Sequence, residues 1–502
     1  MIKNEVGKGA IFLYIQLIST MISGYIFLIL LARITTTEII GTFSLLVSIS
    51  EIFANIAIIG LPESIQKFVG QTFLQDRQSD AKVFVKISFI FLSAGIAASC
   101  LVILSISDWL SDIFGIGFGL VIVVNLLITS YAIFTVLYSI VVATLKTKVL
   151  PIILSISSIA KVILALTLVL MGYGVQGLTL GYTFFGEALS SILIGVFIFR
   201  IFKSARKLPK LEVTVTAKNA GKSLVTGGLV VWIPVLITTL GIDLGTLVLY
   251  NTYGSYESGV YFMALAISNA LSTVVYSIFT ISLPVLSSMH DGRKRFVWQT
   301  IRISAILALP LSSSVIFYSD DVMNLIGSNY IKGSFSLQIL LLSTFPTVVL
   351  TGVETLVFSY GRYRHTLTIS LASSIPRTIL YFILVPTFGM TGVAMSYTIG
   401  TVIGFVASIL VANRIRLSIS WKHLALTLLL PLSLAFFLST FNVSYIIGIV
   451  TTIVVTYLLL MKLHIIEKRD GVFFIELMPI KISKPLIAIF NRFEKIIDWF
   501  YQ

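Results

Sequence analysis

Apolar stretches of about 20 residues, long enough to cross the hydrocarbon core of a bilayer as a helix, recur along the whole 502-residue chain. They lie near 10–33, 39–61, 82–105, 118–143, 150–171, 177–200, 223–248, 259–288, 296–318, 334–360, 366–387, 389–413, 423–440 and 443–462, fourteen in all. Inside a bilayer each backbone N–H and C=O must be satisfied within the protein, and apolar stretches of this length read as helices. The expected fold is an all-α polytopic membrane protein with about 14 transmembrane helices. Composition agrees: 57% of residues are apolar, 11% are charged and the mean hydropathy is +1.03, which excludes a water-soluble globule. The first stretch is too long for a secretory signal and lacks a small-residue cleavage site, so it reads as a retained signal anchor. The single cysteine, Cys100, excludes an intramolecular disulfide and a cysteine-built metal centre.

Orientation follows from the Lys and Arg residues. Of the 35, the N-terminus, every second loop and the C-terminal tail carry 29, the intervening loops carry only Arg33 and Lys332, and four lie inside spans. The expectation is a multi-pass cell-membrane protein with both termini cytoplasmic. The net charge of +14 is then a topology signal and an attraction to anionic membrane lipids, and no nucleic-acid partner is expected.

The chain also writes itself twice. Ser157-Ser158-Ile159-Ala160-Lys161-Val162-Ile163-Leu164 returns as Ser373-Ser374-Ile375-Pro376-Arg377-Thr378-Ile379-Leu380 at an offset of 216. Tyr173, Gly174, Gly177, Tyr182 and Thr183 return as Phe388, Gly389, Gly392, Tyr397 and Thr398 at 215. Lys86-Ile87-Ser88 returns as Arg302-Ile303-Ser304 at 216, and Gly41, Phe43, Ile49 and Ser50 as Gly259, Tyr261, Ile267 and Ser268 at 218. Six spans per repeat is an even number, so both halves enter the membrane in the same sense and form a parallel repeat. The expected organisation is an N-lobe over 1–200, a basic cytoplasmic linker over 201–222 and a C-lobe over 223–413. Two appended helices over 414–463 and a cytoplasmic amphipathic tail over 464–502 complete it.

Four cations lie inside the spans. Lys161 and Arg377 are close to mid-bilayer, beyond easy snorkelling, and each shares a helix face with two serines at i−4 and i−3. A charge there costs several kcal/mol, so a pair at matching places points to a site that holds an anion. The competing reading is a buried ion pair such as Lys161 with Glu187. Lys86 and Arg302 lie nearer the cytoplasmic ends, where snorkelling competes with guiding a head group inward. The intraspan acids, Glu51, Glu187, Asp243 and Glu354, have no acidic counterparts at the repeat offset. They can carry a coupling ion or balance the cations. Gly400 and Gly404 form a GxxxG step, which signals close helix packing.

The run from Leu31 to Phe43, with Ala32-Arg33, Glu38 and Gly41-Thr42-Phe43, resembles the start of polysaccharide-transporter family members. Asp243 followed by Gly259-Val260-Tyr261, and Gly327-Ser328-Asn329-Tyr330, carry the same resemblance, which covers about residues 1–415. The chain is similar to oligosaccharide flippases of the multidrug/oligosaccharidyl-lipid/polysaccharide (MOP) superfamily, which also holds lipid II flippases and multidrug and toxin extrusion antiporters. The resemblance implies two six-helix lobes around a cavity that is cationic in members moving lipid-linked sugars. It implies a transporter, not an enzyme, that moves a polyprenyl-(pyro)phosphate-linked oligosaccharide to the outer leaflet. Lys161 and Arg377 would hold phosphate oxygens, Lys86 and Arg302 would guide the head group from the cytoplasmic side, and Tyr182 and Tyr397 would meet the sugars. The implied partners are the lipid-linked glycan, membrane lipids and glycan-assembly enzymes. No cofactor is expected beyond a coupling proton or Na+. The alternative within the superfamily is a cation-coupled multidrug antiporter with an acidic cavity. A membrane glycosyltransferase or polysaccharide polymerase would need an extramembrane catalytic domain or a long outward loop, and the longest here is about 15 residues.

Overall fold

A computed structural model describes residues 23–204 and 215–466, apart from 25, 76, 145 and 290. The start of the first span (10–22), the centre of the basic linker (205–214) and residues 467–502 of the expected amphipathic tail lie outside the described residues. Regular structure among the described residues is helical throughout. In chain order the helices are α1 (26–34), α2 (Thr37–Ile58), α3 (Leu61–Leu74), α4 (Gln78–Ser105), α5 (Ser107–Phe114), α6 (Phe118–Ala143), α7 (Leu150–Leu168), α8 (Gly174–Thr179) and α9 (Phe185–Ser204). There follow α10 (Ala217–Ser288), α11 (Arg293–Phe317), α12 (Ser319–Ile326), α13 (Ser334–Leu342), α14 (Thr344–Ser359), α15 (Tyr363–Arg414), α16 (Trp421–Thr440) and α17 (Tyr445–Lys462).

Among the described residues, ten continuous helical segments are long and apolar enough to cross a membrane. Three of them are two spans joined at a glycine with positive φ: Thr147–Ile201 at Gly172 and Gly174, α10 at Gly254, and α15 at Gly389. Counting both halves, with α1 as the described end of the first span, returns the fourteen that hydropathy counts. The repeat is visible in the backbone, because Gly174 (φ 50°, ψ −128°) and Gly389 (φ 55°, ψ −134°) turn the chain in the same rare conformation at the sequence offset of 215. Only glycine adopts such angles without strain. Hydropathy does not show α5 and α12, eight-residue helices on the loops after spans three and nine that bury Leu110 and Phe114, and Met323 and Ile326.

Packing divides the chain into two compact units, one reaching to Phe262 and the other beginning at Met263. In the first, Leu45, Leu46, Ile49, Val124, Leu127 and Ile128 fill the core between α2 and α6. The first half of α10 is tied to α2 and α3: Trp232 Nε1 donates to the Asn55 carbonyl at 2.7 Å and the Ser64 hydroxyl to the Leu224 carbonyl at 2.8 Å. Glycines permit these crossings. A Cβ on Gly41 would strike the Ser255 backbone, and one on Gly259 the Thr37 backbone. In the second unit Val275, Phe279, Ile301, Leu309, Val349, Val353, Leu356 and Leu424 form a core joining α10, α11, α14 and α16. The appended α17 seats Gly448 against the ring of Tyr318.

Candidate functional site

In the second unit the first half of α15 exposes Ile375, Ile379, Phe382 and Ile383. The 3.6-residue period turns Ser373, Ser374, Arg377 and Tyr381 to the opposite, buried face. Arg377, 5% exposed, therefore points into the unit and away from lipid. Its guanidinium carbon lies 4.3 Å from the Tyr397 ring centroid, and Nη2 donates to Thr401 Oγ1 at 2.9 Å. Thr401 in turn donates to the Tyr397 carbonyl at 2.8 Å. Gly400 makes room for this arrangement, since a Cβ there would come within 2.6 Å of Arg377 Cβ and of the Ser373 carbonyl oxygen. Arg377 Nε and Ser374 Oγ are buried with no hydrogen-bond partner among the described residues. No carboxylate among those residues reaches Arg377 at ion-pair distance.

The first unit repeats the construction. Ile152, Ile156, Ile159 and Ile163 form the exposed stripe of α7, while Ser157, Ser158 and Ala165 are buried. Lys161 is half-buried on that inner side. Its Nζ lies 4.2 Å from the centroid of the Tyr182 ring. Phe27 stacks on the same ring at 4.3 Å and Phe43 meets its edge at 5.8 Å. A Cβ on Gly186 would come within 2.9 Å of Lys161 Cβ and 3.0 Å of its Cδ, so the lysine stem lies across this glycine. The register explains why sequence comparison hides the second glycine pair. Tyr182 belongs to a π-helical turn, Leu180–Phe184, which takes one residue more than an α-helical turn. The supporting glycine thus comes four residues after Tyr182 but three after Tyr397, and the offset slips from 215 to 214.

Of the sequence-selected acids, Glu187 Oε2 accepts from Ser130 Oγ at 2.8 Å, and no ion pair joins it to Lys161 among the described residues. Asp243, 8% exposed on α10, accepts a hydrogen bond from Ser48, one turn before the half-buried Glu51 on α2. Glu51, Glu187 and Asp243 all act electrostatically on Tyr131 of α6, so the three gather in the first unit. Among the described residues no set of three side chains is placed to hold a metal ion. Glu354 stands apart in the second unit and accepts a long bond, 3.4 Å, from Ser370. Lys86 and Arg302 match in sequence but not in surroundings: Lys86 is exposed on α4, whereas Arg302 is 7% exposed on α11. Tyr276 on α10, which the sequence does not single out, is 44% exposed and interacts electrostatically with Arg377, Tyr397 and Glu354.

The tyrosines thus serve the cations. A cation over an aromatic ring gains about 2 kcal/mol when desolvated, which offsets part of the cost of an unpaired charge. Arg377 Nε and the Ser374 hydroxyl, one turn earlier on the same face, still have unspent hydrogen-bonding capacity among the described residues.

No protein-family model matches this sequence, and no curated protein matches it either. Solved structures do match. The lipid II flippase MurJ in an inward closed conformation is 16% identical, with 85% of this chain and 96% of that chain covered at a TM-score of 0.60. A mutant of the Vibrio cholerae MATE transporter VcmN is 13% identical, with 82% and 97% covered at 0.58. A MOP-superfamily transporter from Pyrococcus furiosus, described as having a binding pocket of reversed polarity, is 14% identical, with 82% and 96% covered at 0.53. At these identities the likeness is one of fold. The chain is a multi-pass helical membrane protein with the fold of MOP-superfamily transporters.

Proposed function

We propose that this protein is a flippase that carries a polyprenyl-(pyro)phosphate-linked oligosaccharide from the cytoplasmic to the outer leaflet by alternating access. The observation that carries the reading is the pair of matched seats: Lys161 over Tyr182 and Arg377 over Tyr397, neither joined to a carboxylate among the described residues. A cation kept only for packing would be neutralised by an acid partner or replaced by an apolar residue, because an unpaired charge in this environment costs several kcal/mol. Two such cations make sense when an anionic ligand supplies the missing partner. MurJ, named as a lipid II flippase, shares the fold. Lys86 and Arg302 would draw the phosphate-bearing head group inward, and the first-unit acids would carry a coupling proton or Na+. Glycan-assembly enzymes would deliver the substrate at the cytoplasmic face.

The second reading, a cation-coupled multidrug antiporter, is favoured by the grouping of Glu51, Glu187 and Asp243 and by the likeness to VcmN. One experiment separates the two. Full-length protein in liposomes is given a fluorescent polyprenyl-diphosphate oligosaccharide, with translocation read by quenching from outside, and ethidium in a parallel assay. The flippase should move the lipid-linked sugar and lose that activity in Lys161→Ala and Arg377→Ala while inserting normally. Ethidium transport without sugar translocation, or full sugar translocation in both variants and their combination, would overturn the assignment.

A further inference from the structure

The two seats share one frame and differ at one position. The residue after the supporting glycine is Thr401 in the second unit and Glu187 in the first. Thr401 binds Arg377 as a neutral hydroxyl at 2.9 Å and offers no charge to compete with a ligand. Glu187 holds the equivalent place beside Lys161, yet its carboxylate is occupied by Ser130 at 2.8 Å while the ammonium rests on the Tyr182 ring at 4.2 Å. Lysine is a point charge on a flexible four-carbon stem, and that stem lies across Gly186 of α9, where no side chain stands in its way. Lys161 thus rests on the ring, with the Glu187 carboxylate within electrostatic reach. Arg377 is held both over the Tyr397 ring and by its hydrogen bond to Thr401.

The geometry points to a division of labour in which Arg377 is a standing anion site and Lys161 a gated one. Lys161 is available to a phosphate when Glu187 carries a proton and is withdrawn from it when Glu187 is ionised. The proton is exchanged with the aqueous phase, and no covalent bond changes. This deepens the flippase reading and rests on its phosphate-bearing substrate. Besides Lys161, the titratable groups among the described residues that act on Glu187 or share its surroundings are Glu51 on α2, Glu63 on α3, Asp243 on α10, Tyr131 on α6 and Tyr182 in the π-helical turn. The test must therefore isolate the Glu187–Lys161 link from them.

Full-length protein in nanodiscs is titrated with geranylgeranyl diphosphate from acidic to alkaline pH. Each variant is read as a ratio to wild type at the same pH, because the diphosphate itself titrates. Glu187→Thr, which copies the second repeat, and Glu187→Gln should bind like wild type in acid and roughly tenfold more tightly in alkali, a magnitude usual for coupled sites. Arg377→Gln should weaken binding by one factor at every pH. The alkaline gain of Glu187→Gln should vanish when Lys161 is already Gln. A gain that survives in that double variant means that Glu187 repels the ligand directly, and the gate is refuted. Equal pH dependence in wild type and both Glu187 variants refutes it as well. Absence of binding by the wild type at any pH counts against the phosphate-carrier reading instead. The gate is then judged without ligand, by the infrared band of the protonated carboxyl that is lost in Glu187→Gln. That band should titrate at a different pH in Lys161→Gln than in wild type and unchanged in Arg377→Gln, and an unmoved titration in Lys161→Gln overturns the gate.

Discussion

Tyr397 gives Arg377 a ring face, and the ring rather than the hydroxyl is what the cation uses. Tyr397→Phe keeps the face, so binding of a polyprenyl diphosphate should stay within a few-fold of wild type. Tyr397→Leu removes about 2 kcal/mol of cation–π attraction, roughly 30-fold in affinity. Binding lost equally in both variants would show that the hydroxyl contacts the ligand, as the sequence reading of tyrosines meeting sugars supposes. Lys161, Arg377, Tyr182 and Tyr397 were legible in the sequence because charges inside apolar stretches are conspicuous and the tyrosines recur at an offset of 215, one short of the cations' 216. What the tyrosines touch was not legible, since Lys161 and Tyr182 come together only through the turn at Gly172 and Gly174. Phe27 had no signal at all, being one apolar residue among many. Gly186 and Gly400 were hidden by the extra residue of the π-helical turn, which places them at an offset of 214 when their tyrosines match at 215.

At the scale of elements, hydropathy locates the spans and separates them even at short joints because a bilayer demands about 20 apolar residues of each, but it does not show how two spans are joined. The corners at Gly174 and Gly389 are set by backbone angles that hydropathy does not carry, and α5 and α12 are too short to register. Glycine plays a second part where helices cross. Gly400 read as a packing step in the sequence, and it does pack, against the helix that carries Arg377. A Cβ at Gly400 would press on backbone, the Ser373 carbonyl, as well as on Arg377 Cβ, both at 2.6 Å, so α15 must part from itself to accept it. Overpacking of this kind costs about 1–3 kcal/mol. At Gly186 the atoms in the way belong to the Lys161 side chain, which can move. Gly400→Ala should therefore lower the unfolding temperature in detergent clearly more than Gly186→Ala, whereas Gly186→Ala should disturb the position of Lys161 and weaken diphosphate binding with little loss of stability. Equal unfolding temperatures for the two variants would mean that the stem of Arg377 does not depend on Gly400.

Across the whole molecule the charges are sorted twice, once between loops and once between units. The split of 29 basic residues against 2 between alternate sides predicts that reporters fused at either end, or after residue 204, are read in the cytoplasm, and that one inserted near Lys332 is read outside. A cytoplasmic reading near Lys332 would reverse the assigned orientation and with it the direction of transport. The second sorting concerns energy. Cations obey the repeat and acids do not, since Glu51, Glu187 and Asp243 gather in the first unit while Glu354 stands alone in the second. Holding a substrate can be shared between two similar halves, but an energising ion needs one place to bind and one set of groups that respond to it. Glu51→Gln and Asp243→Asn should therefore leave diphosphate binding nearly intact, slow turnover and make transport less sensitive to an imposed proton or sodium gradient. Glu354→Gln should leave that sensitivity unchanged. Gradient sensitivity retained in full by Glu51→Gln and Asp243→Asn, or lost in Glu354→Gln alone, would move the coupling site out of the first unit and leave its three acids with the task of balancing charge.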